Sequence, residues 1–205
     1  MKIAIIDYGL GNLRSVEKAL QFVGAPDAFV TDDPALVASA DKAVLPGDGA
    51  FDATMDRLRA SGVDKIVREF VATGKPFLGI CVGMQVLLTE SEEGRRGVKG
   101  LDLVPGVVKR FTPASSADKV PQIGWNELQF PRKSDLFAGI NPGSMVYFLH
   151  SYYCDPSDDD AVSASADFCG VYCAALQFGN IHATQFHPEK SGPVGLSILQ
   201  NFARL

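Results

Sequence analysis

Through its first half the chain alternates short apolar runs with segments whose apolar residues recur at helical spacing. Few folds tolerate that order. "KIAIID", "DAFVT", "KAVLP" and "PFLGI" read as strands. Between the first two, "GNLRSVEKALQFVG" puts Leu13, Val16, Leu20 and Val23 at helical spacing, and "PALVASA" follows as a second helical stretch. "VDKIVREFVATG" places Val63, Ile66, Val67 and Phe70 on one face and ends at Gly74, a predicted C-cap. "VGMQVLLTES" is expected to be the next helix. A β-α-β-α order of this kind predicts a parallel sheet with helices on both sides. The second half is β-rich, with "GVVKRF", "NELQF", "SMVYFLHSYYC", "AVSASADF" and "VYCAALQFGNIHATQFHPE" separated by turn residues. It predicts a mixed or antiparallel extension of the sheet, closed by a helix over "SGPVGLSILQNFARL". The expected architecture is an open three-layer α/β fold, a mixed, mostly parallel sheet flanked by helices, in one domain over 1–205.

Composition narrows the function classes. A net charge of −5 without a lysine or arginine run disfavours nucleic acid as the main partner. No apolar stretch approaches the length of a membrane span, and "MKIAIIDYGLGN" is too short in its apolar run for a signal peptide. The four cysteines, Cys81, Cys154, Cys169 and Cys173, form no C-x-x-C pair. They read as free thiols in a reducing cytoplasm. The acidic stretch Asp155–Asp160 lacks calcium-loop spacing and reads as a solvated turn.

One cysteine stands apart. Gly79-Ile80-Cys81-Val82-Gly83 is the cysteine form of G-x-S-x-G, the sharp strand-to-helix turn that carries a nucleophile. A Cβ at either flanking position is expected to collide with the neighbouring strand or helix. The turn places the sulfur at a helix start, where the dipole and free N–H groups favour thiolate. The N–H of Val82 would face a developing oxyanion. Taken alone, the pattern equally fits a cysteine packed as a small hydrophobe; a nucleophile needs a base.

Three histidines are available: His150, His182 and His187. His187 lies in "TQFHPEK", where Pro188 biases the preceding residue toward extended geometry. Residues 187 and 189 then share a side, so Glu189 can orient the His187 imidazole while its other nitrogen meets a thiol. An isolated H-P-E is equally an ordinary surface turn; with the cysteine elbow upstream it reads as a triad in the order Cys81, His187, Glu189.

With "GICVGMQ", "FHPE" and the upstream "LPGDGAF", the chain resembles the class I (triad) glutamine amidotransferases, which have a flavodoxin-like fold. Within them, "DYGLGNLRS", "PQIGWNEL", "YFLHSYY" and "QFHPEKSG" resemble the glutaminase subunits of imidazole glycerol phosphate synthase, from first strand to last helix. The resemblance implies that glutamine is hydrolysed to glutamate and ammonia. The ammonia passes to a cyclase subunit built as a (β/α)8 barrel, in a heterodimer of histidine biosynthesis. No cofactor and no metal are implied.

The resemblance also distributes roles. Gly49 joins Val82 in the oxyanion hole. Gln85 and Glu93 meet the glutamine amino end, with Glu90 and Glu92 as rivals to Glu93, and Ser151 and Tyr152 meet the carboxylate end. Tyr8, Asn12, Trp125 and Lys190 belong to the partner interface. His150 is expected to order the glutamine loop or satisfy a backbone group, and His182 to be structural. The family more often has valine where Asp48 stands, and Asp48 can bond local backbone N–H groups and hold the oxyanion strand in one state. The competing readings are a glutaminase subunit of anthranilate or pyridoxal phosphate synthase, a cysteine peptidase-like relative, and a non-catalytic assembly subunit.

Overall fold

The computed structural model describes residues 1–95, 97–113 and 119–205. The parallel half comprises β1 (Ile3–Ile6), α1 (Leu13–Phe22), β2 (Ala28–Thr31), α2 (Pro34–Ser39), β3 (Lys42–Gly47), α3 (Phe51–Ser61), α4 (Val63–Ala72) and β4 (Phe77–Cys81). After a single turn of helix, α5 (Val82–Gln85), the chain becomes strand-rich. It runs through β5 (Leu88–Ser91), β6 (Val104–Arg110), β7 (Gln122–Glu127), β8 (Met145–His150), β9 (Tyr152–Pro156), β10 (Val162–Asp167), β11 (Val171–Phe178) and β12 (Ile181–Thr184). The last element is α6 (Gly192–Arg204).

The main sheet has the order β2-β1-β3-β4-β12-β11-β9-β6-β5, with β10 on β11. The strands from β2 to β12 along that path pair in parallel. β11 reverses direction against β12, and β9 pairs antiparallel with both β11 and β6. The expected parallel sheet with a mixed extension is what forms. Every residue of β1, β3, β4 and β12 is buried, as strands covered on both faces require. Phe51, Phe70, Phe77 and Phe202 are among the largest fully buried side chains and belong to the hydrophobic core cluster of the described residues.

Three segments depart from expectation. The helix over 82–91 stops after Gln85. Val86, Leu87 and Leu88 are all fully buried, so no polar face sustains a helical period. Their carbonyls instead receive N–H groups from the 101–104 segment, with Leu101 N–H to Val86 O at 2.7 Å and Leu103 N–H to Leu87 O at 2.9 Å. The strand expected over "NELQF" lies earlier, at Gln122–Glu127, and pairs with β8 in a separate two-stranded ribbon. "SMVYFLHSYYC" is two strands, broken at Ser151 where the chain passes from that ribbon to the main sheet. In addition, α3 forms where no helix was expected. It uses only Phe51, Met55 and Leu58 as its large buried apolar anchors.

Gly74 lies one residue past the cap of α4, at φ +76°, with Thr73 at the cap itself. The carboxyl ends of β1, β3, β4 and β12 lie side by side in this order, and the catalytic candidates sit just beyond three of them.

Candidate active site

Cys81 ends β4 and caps α5 with φ +56° and ψ −115°. That conformation is strained for a residue with a Cβ and costs about 1–3 kcal/mol, so the surrounding packing must impose it. The flanking glycines show how. A Cβ on Gly79 would stand 2.7 Å from the Gly83 carbonyl oxygen, and one on Gly83 would overlap the Leu45 carbonyl of β3. Only bare backbone lets the turn pass this close to both strands. The sulfur therefore sits at the first turn of α5, where backbone N–H groups, Val82's among them, have no helical acceptor.

His187 and Glu189 follow β12. The backbone at His187 is extended, and Pro188–Lys190 form one 3₁₀ turn. The His187 Nδ1 lies 2.9 Å from Glu189 Oε1, and the Cys81 side chain interacts with the same ring and raises its pKa. The three triad candidates are brought together in the expected order. Burial alone pushes the His187 pKa down, yet the bonds to Cys81 and Glu189 and the charges of both outweigh it and lift the imidazole to about 10. An imidazolium at neutral pH is the partner that a thiolate requires. Glu189 Oε2 is buried without a hydrogen-bond partner among the described residues.

The backbone of this segment is tied to β8. His187 N–H donates to the Tyr147 carbonyl at 3.1 Å. Ser191, buried, donates its hydroxyl to the His187 carbonyl at 2.6 Å and accepts the Tyr147 N–H at 2.9 Å. Ser191 was not among the expected site residues, although it directly follows the H-P-E-K run.

A cavity of about 60 Å³ opens beside the sulfur, lined by Asp48, Gly49, Cys81, Val82, Gln85, Glu93, Leu149, His150, Ser151 and Tyr152. Larger hollows elsewhere on the surface, such as the groove of about 550 Å³ between Phe130 and Pro142, hold none of these groups. All the expected substrate contacts line the small cavity. Gln85 is buried, and its amide nitrogen donates to the Tyr152 carbonyl at 3.0 Å. Among the three acids, Glu93 alone reaches the cavity, where its Oε2 accepts the Phe51 N–H at the start of α3. Burial raises the Glu93 pKa, while that N–H lowers it and the nearby Asp52 charge raises it further. Glu90 instead pairs with Lys99, and Glu92 accepts the Arg110 N–H.

Gly49 has φ +93°, and its N–H donates to the Asp48 Oδ1 at 2.9 Å. The expected oxyanion donor is thus occupied by the neighbouring side chain. His150 Nδ1 lies 2.8 Å from the Tyr152 carbonyl, the backbone role expected of it. Burial lowers its pKa to about 4, offset in part by that bond. Burial likewise takes His182 to about 4.

The interface candidates divide. Trp125 is 53% exposed, and Asn12 and Lys190 are also exposed. Tyr8 is buried, and its hydroxyl donates to the Pro46 carbonyl at 2.9 Å. Tyr8 therefore does not present a partner surface as expected; it braces the strand that leads to Asp48 and Gly49. A second residue missed from sequence is Gln185, fully buried beside the sulfur. Its signal in the sequence is its place two residues before His187 in the "TQFHPEK" run.

A cysteine on a strained elbow, a histidine held by a buried glutamate and a small polar cavity match a family by sequence as well. The model of the class-I glutamine amidotransferases matches residues 4–205. The chain belongs to that family. It is 52% identical over 205 residues to the imidazole glycerol phosphate synthase subunit HisH of Syntrophotalea carbinolica, covering 98% of each chain. It is 48% identical to the subunit of the same name from Chlorobaculum tepidum, again over 98% of each. Among solved structures, PurLQS from Thermotoga maritima superposes with a TM-score of 0.72 at 19% identity, covering 99% of this chain and 97% of the matched one. That likeness concerns the fold.

Proposed function

We propose that this chain is the glutaminase subunit of an imidazole glycerol phosphate synthase. The observation that carries the reading is the juxtaposition of Cys81, His187 and Glu189 beside a cavity lined by Gln85 and Glu93. Identity near 50% over almost the full length to HisH subunits supports this member of the family over anthranilate- or pyridoxal phosphate-serving subunits.

The Cys81 thiolate attacks the carboxamide carbon of glutamine. The tetrahedral oxyanion is met by the N–H groups of Val82 and, once freed from Asp48, Gly49. Each such donor is worth about 3 kcal/mol in the transition state. The His187 imidazolium gives its proton to the departing ammonia, leaving a glutamyl thioester. Neutral His187 then takes a proton from water as that water attacks the thioester, and glutamate leaves. Glu189 holds the Nδ1 side of the ring and supports its positive charge. Glu93 and Gln85 receive the α-amino end, and the Ser151–Tyr152 backbone the α-carboxylate.

The ammonia passes to a cyclase subunit built as a (β/α)8 barrel, in a heterodimer in the cytoplasm. The outer face of the β7–β8 ribbon suits that role. Trp125 and Ile123 stand opposite Tyr147 and Leu149 across the ribbon, with Met145 at its end; Trp125, Ile123, Leu149 and Met145 are exposed apolar side chains. Leu149 also lines the cavity, so this face borders the catalytic pocket. Asn12 and Lys190 are exposed and join this interface. A Gly49 N–H engaged by the Asp48 carboxylate describes a resting site, which ligand on the cyclase releases, raising hydrolysis at least about tenfold.

The test is synthesis by the reconstituted complex with Cys81→Ala. Glutamine-dependent formation of product is lost, by about 10⁴-fold or more, while ammonium-dependent formation persists. Retained use of glutamine by the variant would refute the assignment.

A further inference from the structure

Gln185 follows β12, and its backbone N–H is bound by the Ala174 carbonyl of β11 at 2.8 Å. Its side chain is fully enclosed. Burying an amide is costly unless its atoms are bonded, so the bonds that it makes explain its presence. Gln185 Oε1 accepts from Gln85 Nε2 at 3.1 Å, and Gln185 Nε2 lies 3.8 Å from Cys81 Sγ, within reach of a hydrogen bond to sulfur.

The direction of this series is fixed by a backbone group. Gln85 places the same terminal atom 3.0 Å from the Tyr152 carbonyl, which can only accept. That atom is therefore the amide nitrogen of Gln85. It meets Gln185 as a donor, so Gln185 must turn its oxygen toward Gln85 and its nitrogen toward Cys81. Tyr152 thus determines, through two amides, that an N–H faces the sulfur. The bend that follows β12 brings Gln185 and His187 to the sulfur together.

We propose that Gln185 is a positioning residue for the nucleophile. Its amide holds Cys81 Sγ by an N–H donor and, at the other end, locks the orientation of Gln85. The inference rests on Cys81 being the nucleophile. A donor to sulfur is worth more when the sulfur is anionic, so Gln185 favours the attacking form over the thiol. It also links the group that receives the substrate to the group that reacts with it. The other titratable groups around Cys81 are His187, Tyr8 and Cys154, with Asp48, Glu93, His150 and Tyr152 lining the same cavity, and a change at Gln185 alone alters none of them chemically.

Two variants separate the two contacts. Gln185→Glu keeps an acceptor for Gln85 but removes the donor to sulfur; Gln185→Leu removes both and adds no charge. The first readout is alkylation of Cys81 by iodoacetamide across the neutral and alkaline range, followed by mass spectrometry of the Cys81 peptide. In both variants the profile moves to higher pH and the rate at neutral pH falls about tenfold. The second readout is glutamine hydrolysis in the complex. Gln185→Glu lowers kcat about tenfold with KM within about twofold, whereas Gln185→Leu also raises KM. A cooperative thermal transition confirms that each variant is folded, and the Leu variant carries the test if the buried charge of the Glu variant prevents folding. Alkylation profiles in the folded variants that overlay the parent's would overturn the inference while leaving Cys81→Ala inactive. Hydrolysis that survives Cys81→Ala would instead overturn the nucleophile on which it rests.

Discussion

His182 and His187 lie at the two ends of one short stretch of chain, within and just beyond β12, and each is only 5% exposed. They differ in charge: one is neutral and the other cationic. His182 is surrounded by the sheet, has an unpartnered Nδ1 among the described residues and is kept neutral by burial, with a pKa of about 4. His187 is as enclosed, yet its bonds to Cys81 and Glu189 overcome the same burial and raise it to about 10. Burial does not decide the state of a histidine here; the partners at its two nitrogens do. The interior of the sheet uses its histidine as a packed ring. The carboxyl edge uses its own as a held proton.

Removing the partner sharpens that contrast most. Glu189→Gln should lower glutamine hydrolysis about 100-fold, because the imidazolium loses its carboxylate. His182→Asn should change hydrolysis by no more than about twofold, although it is equally buried. Steady-state kinetics of the complex with both variants would break the comparison if the two losses were alike.

Trp125→Ala addresses the ribbon to which His187 is anchored through Tyr147. It should weaken association with the cyclase by about 2 kcal/mol, measured by titration calorimetry, with the isolated variant still unfolding cooperatively. Loss of the cooperative transition would make Trp125 a core residue and remove the interface from the account.

Stability against pH gives a smaller effect with a defined sign. The His187 pKa is raised above its ordinary value of 6.5, so its contribution is complete below about pH 6.5 and is lost as pH rises through about 10. His182 and His150 are lowered to about 4, so their contributions are complete above about pH 6.5 and are lost as pH falls through about 4. Thermal unfolding should therefore show an alkaline limb that flattens in Glu189→Gln and an acid limb that flattens in His182→Asn. The reverse pairing would contradict the assigned states.

Much of this arrangement could be read from residues alone, and the failures have physical causes. β1, β3 and β4 are legible because strands buried on both faces are unbroken apolar runs bounded by glycine, proline or charge. Cys81 is legible because the elbow imposes local geometry; His187 and Glu189 are legible as a pair, although the extended geometry expected over them gives way to a 3₁₀ turn at Pro188–Lys190, which brings the acid to the ring instead. Val86 to Leu88 misled because a fully buried apolar run has no polar face from which to read a period, and pairing with the segment after Gly100 decided its form. Among the acids, Glu93 could not be told from Glu90 and Glu92, since only the tertiary approach of α3 supplies the Phe51 N–H that draws it inward. Tyr8 follows a strand at the site edge, as an interface residue could, but the Pro46 carbonyl that binds it belongs to β3, which sequence spacing does not reveal.

The central claim is that Cys81, and no other thiol, attacks the glutamine carboxamide. Cys154 and Cys173 are buried, and burial pushes both thiols up, Cys173 to about 12. The most direct measurement is labelling of the activated complex with a diazoketone analogue of glutamine, followed by peptide mass spectrometry. The account predicts one adduct on the peptide carrying Cys81, suppressed by excess glutamine. Labelling of Cys154, Cys169 or Cys173 in its place, or labelling of Cys81 that glutamine fails to suppress, would contradict it.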